Sequence, residues 1–288
     1  MATTGPVGDL VSHIVGKHAE VTTLMGPGVD PHLYREQPAD ITLLSRADVV
    51  FFNGLHLEGR MTDTLERLGK RRAVFAVTHE LEQASDRGDL LIQPEGFGGI
   101  ADPHVWHDVS LWMRCCGYVA KRMAEVDPEH SAEYDQAAKE YQDALGELHN
   151  WCKEQLATIP EERRVLITAH DAFAYFSRAY GLQAVGLKGV STEDEIDLKH
   201  MSEVQQLIIQ RKIPCVFVES AVAPQIMQAL IEPCRAAGVE VTAPMEESHQ
   251  LYADALGKPG SDADSYVGMI RANVNTIVAG LTGKLSSD

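Results

Sequence analysis

Short apolar runs alternate with amphipathic stretches along most of this chain, and that alternation restricts it to few architectures. The runs fall at residues 49–52, 73–77, 165–168, 215–218 and 239–241. Each reads as a buried parallel strand, being too short for a helix and rich in Val and Phe. Residues 38–46 and 201–210 carry helical patterns between them. Strand and helix in alternation mean an α/β fold with mainly parallel sheets. At the start, Ala2-Thr3-Thr4-Gly5 reads as the end of a strand running into a helix over 8–15, with little strand before it.

One segment breaks the alternation. No strand-like run interrupts residues 127–156, where Tyr134, Ala138, Tyr141, Leu145, Leu148 and Cys152 recur at three-and-four spacing. Asp127-Pro128 is a helix start and Ile159-Pro160 a stop. A helix of about 26 residues would span roughly 39 Å at 1.5 Å per residue. That is long for a crossover and suits a rigid connector between two α/β lobes; a break near Gly146 into two shorter helices is the alternative. A chain of 288 residues is long enough for two domains. The expected organisation is an N-terminal lobe over 1–126, a linker helix over 127–160 and a C-terminal lobe over 161–288. Residues 82–101, with Gly96-Phe97-Gly98-Gly99 and several acids, read as a loop without histidine enrichment.

Composition removes several function classes. The formal net charge is −17, from 42 acidic and 25 basic residues, which argues against a nucleic-acid partner. No apolar run approaches the ~20 residues of a membrane helix. Met1-Ala2-Thr3-Thr4-Gly5 has neither the basic start nor the apolar stretch of a secretory signal. The chain therefore reads as cytoplasmic, or as a trimmed mature form with an added start Met. The five cysteines, Cys115, Cys116, Cys152, Cys215 and Cys234, lack zinc-finger spacing and read as small core residues.

The chemistry lies in the histidines. Asp30-Pro31-His32 and Asp102-Pro103-His104 repeat one phrase, and His170 follows the run at 165–168 directly. Proline fixes its own φ and biases the preceding residue to an extended shape, so the histidine after it points in a set direction. His170 stands at the carboxyl end of a strand, where open α/β sheets bind ligands; Asp171 beside it is expected to cap the helix that follows. Three imidazoles and a carboxylate make a site for a divalent metal. For the carboxylate, spacing leaves Glu219 and Asp254 equal. His107 rivals His104, and His56 is placed to support a ligand.

These phrases also carry a resemblance. Residues 24–32 (Leu-Met-Gly-Pro-Gly-Val-Asp-Pro-His), 53–58 (Asn-Gly-Leu-His-Leu-Glu), 102–106 (Asp-Pro-His-Val-Trp) and 168–173 (Thr-Ala-His-Asp-Ala-Phe) are similar to the metal-binding solute-binding proteins of zinc, manganese and iron ABC transporters, the cluster A-I or TroA-like group. Residues 189–192, 217–220 and 266–269 continue the match in family order. The resemblance implies two lobes joined by one long helix, with the metal site in the interlobe cleft. It implies His32 and His104 as ligands from the first lobe, and His170 and Asp254 from the second, with Glu219 supporting them. The implied function is high-affinity capture of Zn2+ or Mn2+ as transported ligand and delivery to a cognate ABC permease in the cytoplasmic membrane. No catalytic role and no catalytic cofactor is implied. A monomer in the periplasm or at the cell surface is expected, with the precursor's signal peptide and any lipid anchor absent from this chain. Zinc-specific members often carry a His-rich acidic loop, missing from 82–101; manganese-specific members often have Glu where His170 stands.

Two rivals fare worse. A metal-dependent hydrolase with a His/Asp site needs an open coordination position, and neither His-Glu-x-x-His nor Gly-x-Ser-x-Gly is present. A nucleotide-binding enzyme needs a phosphate loop, and Gly26-Pro27-Gly28 cannot serve because Pro27 offers no N–H.

Overall fold

Parallel pairing of the apolar runs organises both halves of the computed structural model, which describes residues 1–95 and 97–285. Gly96 of the glycine phrase lies outside the described residues. In the first half β1 (Val49–Phe52) pairs in parallel with β2 (Ala73–Ala76). Ala2 extends this sheet by single bridges to Phe51 and Thr23, and the helix after it begins at once, at Gly5. In the second half β3 (Val165–Thr168) pairs in parallel with β4 (Gln183–Gly186).

Of the expected strands, 215–218 is reduced to isolated bridges and 239–241 forms no strand. Phe217 N–H reaches Ile167 O at 2.9 Å, so 215–218 lies beside β3, but Cys215 bridges Thr242 while Glu219 bridges Leu251. Its neighbours on that side belong to different segments, so no continuous ladder forms. At 239–241 the backbone turns tightly instead, with Val239 N–H on Cys234 O and Val241 N–H on Val239 O.

Helices cover the sheets. The first half contributes α1 (Gly5–Val15), α2 (Pro38–Arg46), α3 (Thr62–Gly69), α4 (His79–Gln83), α5 (Arg87–Leu90) and α6 (Val109–Val126). Part of the expected 82–101 loop is therefore helical. Next comes α7 (Ser131–Leu156), 26 residues without a break at Gly146. Asp127-Pro128 opens a short 3-10 turn, Pro128–His130, rather than α7 itself. The second half adds α8 (Ala174–Tyr180), α9 (Leu198–Arg211), α10 (Gln225–Ala236) and α11 (Tyr266–Leu281).

The six periodic side chains of α7 from Tyr134 to Cys152 are all buried. They face α6, α1 and α11, so α7 belongs to a helical layer and does not cross a gap alone. One apolar core runs through that layer, from Val7 and Phe51 through Trp112, Tyr141 and Leu145 to Phe173 and Ile270. Smaller cores fill the outer part of each half. The cysteines are free and buried within these cores. Among the described residues no helix is long and apolar enough to cross a membrane.

Candidate metal centre

Each of the three histidine candidates is aimed by a carboxylate. The Oδ1 of Asp30 accepts the backbone N–H of His32 at 2.9 Å and of Leu33 at 3.3 Å. Asp102 repeats that turn, its Oδ1 accepting His104 N–H at 2.9 Å, and the same oxygen also takes the ring Nδ1–H of His104 at 2.8 Å. Thus the aspartates set the direction of the repeated phrase as much as the prolines do, and only the second of them reaches its imidazole. Glu219 serves His170 likewise. Its Oε1 accepts the N–H of Ala169 at 2.7 Å and of His170 at 3.0 Å, while Oε2 contacts the ring Nδ1 at 2.5 Å. An ionised carboxylate only accepts, so Nδ1 of both rings carries hydrogen and the Nε2 atoms face inward.

Asp254 is held from both halves. Leu251 N–H bonds Val218 O at 2.8 Å, and Asn273 bonds both backbone groups of Tyr252 at 2.9 Å. From the first half, Trp106 Nε1 and His107 Nε2 donate to Ala253 O at 3.0 and 2.9 Å. Sequence reading missed these supports, because Trp106 and Ala253 are far apart in the chain and neither residue type signals a site.

The structure brings His32, His104, His170 and Asp254 together, with one potential ligand atom from each all lying within 4.8 Å of one another. His32 Nε2 is 3.2 Å from His104 Nε2. Asp254 Oδ1 and Oδ2 stand 3.3 Å from His104 Nε2 and 3.4 Å from His170 Nε2. All four residues are buried, yet among the described residues His170 Nε2 and both Asp254 oxygens find no hydrogen-bond partner. Buried polar atoms without partners are costly, by several kcal/mol for a charge, unless a cation answers them. His107 stays outside the cluster, its ring against Phe173 at 4.4 Å. His56 is exposed, on a left-handed backbone with φ 66°, and is not in the cluster either. Asp171 caps nothing: α8 starts only at Ala174, without a side-chain cap.

Burial pushes His32 and His107 down to about 3, so both are neutral at pH 7. Burial also pulls on His104, but Asp102 and Asp254 outweigh it and raise its pKa to about 9. Against the same opposition, Glu219 and Asp254 raise His170 well above the ordinary imidazole value. Burial opposes ionisation of Asp254, yet the His170 and His104 imidazolium groups hold it well below the carboxylate range. Without an ion, protons on His104 and His170 supply the positive charge that Asp254 requires.

The profile of a family described as "Zinc-uptake complex component A periplasmic" (ZnuA) matches residues 1–280. The chain is 41% identical over 280 residues to the manganese-binding lipoprotein MntA of Bacillus subtilis, covering 97% of this chain and 88% of that one. It is 39% identical over 281 residues to the zinc-binding protein TroA of Treponema pallidum, covering 98% and 88%. The solved structure of the periplasmic zinc-binding protein TroA from Treponema pallidum superposes with a TM-score of 0.89 at 38% identity, over 97% of each chain.

Proposed function

The chain belongs to the ZnuA family, the metal-binding solute-binding proteins of ABC transporters, and from that premise we propose that His32, His104, His170 and Asp254 are the ligands with which it captures its ion. The function is capture of a divalent transition metal ion and delivery to a transporter. The observation that carries the ligand assignment is a buried carboxylate whose two oxygens lack hydrogen bonds among the described residues and face three inward imidazoles.

Capture follows from the geometry. Asp254 is ionised and His32 neutral before the ion arrives. The ion displaces protons from Nε2 of His104 and His170, while Asp102 and Glu219 keep hold of the opposite nitrogens. Three imidazoles and one carboxylate suit Zn2+ in tetrahedral geometry and bind it more tightly than Mn2+ by the usual affinity order. Supply then decides between Zn2+ and Mn2+ in the cell. Four protein donors leave no position for an activated water, which favours a carrier that catalyses nothing over a metal-dependent hydrolase.

Lipoprotein, transporter and periplasmic relatives support the partner and the place of action; the monomer and the lobe bounds extend the sequence reading. The partner is a cognate ABC permease in the cytoplasmic membrane, and the protein works outside that membrane as a monomer. The lobes span 1–126 and 161–288, with the connector over 127–160. Titration of Zn2+ and Mn2+ into stripped protein tests the site. One ion per chain is expected, with His32→Ala and His170→Ala each weakening binding strongly. A stoichiometry far from one, or unchanged affinity in both variants, would overturn the assignment.

A further inference from the structure

The segment 188–193 touches both sides of the site. Lys188 N–H bonds Ala169 O at 3.0 Å and Asp171 N–H bonds Gly189 O at 3.1 Å, so this segment is tied on either side of His170. At its far end the buried Thr192 donates its hydroxyl to Oδ2 of Asp30 at 2.6 Å. The other oxygen of Asp30 holds the backbone N–H groups of His32 and Leu33. One carboxylate therefore joins the turn that presents His32 to the half that presents His170. Beside it Arg60 pairs with Glu193 across the same boundary, although an exposed pair contributes little.

The turn needs such a tie. Residues 26–35 contain neither helix nor strand. Among the described residues, their hydrogen bonds reach beyond residue 40 at two places: His32 to His104, and Asp30 to Thr192. The first of these joins the two ring nitrogens that would both turn to an ion. Once an ion binds, Tyr34 still ties this turn to Asp40 of α2 in its own half, and Thr192 remains as the hydrogen bond that ties it to the half presenting His170.

We propose that Thr192 is a positioning residue for His32, and that parting of the Thr192–Asp30 bond opens the route of ion release. In that step His32 swings away with its turn while His104, His170 and Asp254 still hold the ion. A permease that separates segment 188–193 from the 26–35 turn would thereby convert a four-donor site into a weaker three-donor one. The inference rests on the four-donor site proposed above.

Stopped-flow release of Zn2+ to a chromophoric chelator tests it. Thr192→Val keeps the side chain's shape and removes the hydroxyl; Thr192→Ser keeps the hydroxyl. Release from Thr192→Val is expected to be about tenfold faster, the scale of one lost hydrogen bond to a charged group. Association should change little, and Thr192→Ser should restore slow release. In an Asp30→Ala background, Thr192→Val should add no further acceleration, which general destabilisation would not reproduce. Thr192→Ala gives the same readings if valine is not accommodated. Wild-type release rates in the Thr192 variants, or additive effects with Asp30→Ala, would overturn the proposal. His32→Ala separates the two readings: if it leaves Zn2+ affinity intact, the four-donor site falls. If it weakens binding while the Thr192 variants release at the wild-type rate, only the clasp falls.

Discussion

Protons and the metal compete for His104 and His170, and that competition has a measurable sign. Both imidazoles hold protons above the ordinary value of 6.5, His104 up to about 9. Metal affinity should therefore rise with pH across the window from 6.5 to 9, with about two protons released per ion at pH 7. Calorimetry in buffers of different ionisation enthalpy counts them; a count of zero would refute the competition. The same groups shape stability without metal. His32 and His107, depressed to about 3, take up protons on unfolding below pH 6.5, so their stabilisation is lost as pH falls from there. His104 and His170 do the opposite: their stabilisation is full below 6.5 and is lost as pH rises through the raised value of each, about 9 for His104. These four histidines together place the stability maximum of metal-free protein near pH 6.5, and Zn2+ should abolish the decline on the alkaline side. Melting temperatures measured across pH 5–9 check both limbs. Three of the four converging residues were legible in the sequence, because a histidine at a strand end or after Asp-Pro advertises itself. Asp254 was not, since an aspartate in a loop resembles many others and its place is set by Ala253, Asn273 and Trp106; resemblance alone preferred it to Glu219.

At the scale of elements, β4 shows what periodicity hides. Gln183-Ala184-Val185-Gly186 is only partly buried and carries no apolar run, so nothing in its composition announces a strand. Its last residue has a steric task. A Cβ on Gly186 would lie 2.4 Å from Asp171 N and 2.6 Å from His170 C. Backbone atoms cannot rotate aside, so the end of β4 passes the His170 turn only as glycine. Gly186→Ala should cost about 1–3 kcal/mol, the range for overpacking, and should displace His170. Zn2+ affinity is expected to fall in the folded variant; wild-type affinity and melting temperature would contradict this. By contrast the body of α7 was legible, because its buried positions repeat at helical spacing, while its start moved from Asp127-Pro128 to Ser131; a Cβ on Gly146 would meet the Met113 methyl only at 3.7 Å, an ordinary contact. The runs at 215–218 and 239–241 looked alike in sequence, and only the partners available to each decided which lay along the sheet.

Across the whole molecule the shared core limits what the two lobes can do. Phe51 and Val7 from the first half and Phe173 and Ile270 from the second belong to one apolar cluster, continuous through α6 and α7. Wide hinge opening would expose that cluster at about 25 cal/mol per Å2, so small shifts around the cleft are favoured. Metal-free and Zn2+-loaded protein should therefore have nearly equal radii of gyration by small-angle scattering. Both should unfold in one cooperative transition, with Zn2+ adding ~4 kcal/mol at a thousandfold excess over Kd. Two separate melting transitions, or a large contraction on loading, would show lobes more independent than this core allows.

The bond from Trp106 to Ala253 gives the molecule an optical channel of its own. The buried indole donates to the residue beside Asp254, and its ring centroid lies 5.2 Å from that of His104. Deprotonation of His104 and restraint of Asp254 alter the field and the hydrogen bond felt by this fluorophore, whereas Trp112 and Trp151 lie on α6 and α7. Intrinsic emission should therefore shift as Zn2+ is taken up, and Trp106→Phe should silence the change without adding any label. Loading and unloading could then be followed by light from a residue that nature placed there to brace a loop.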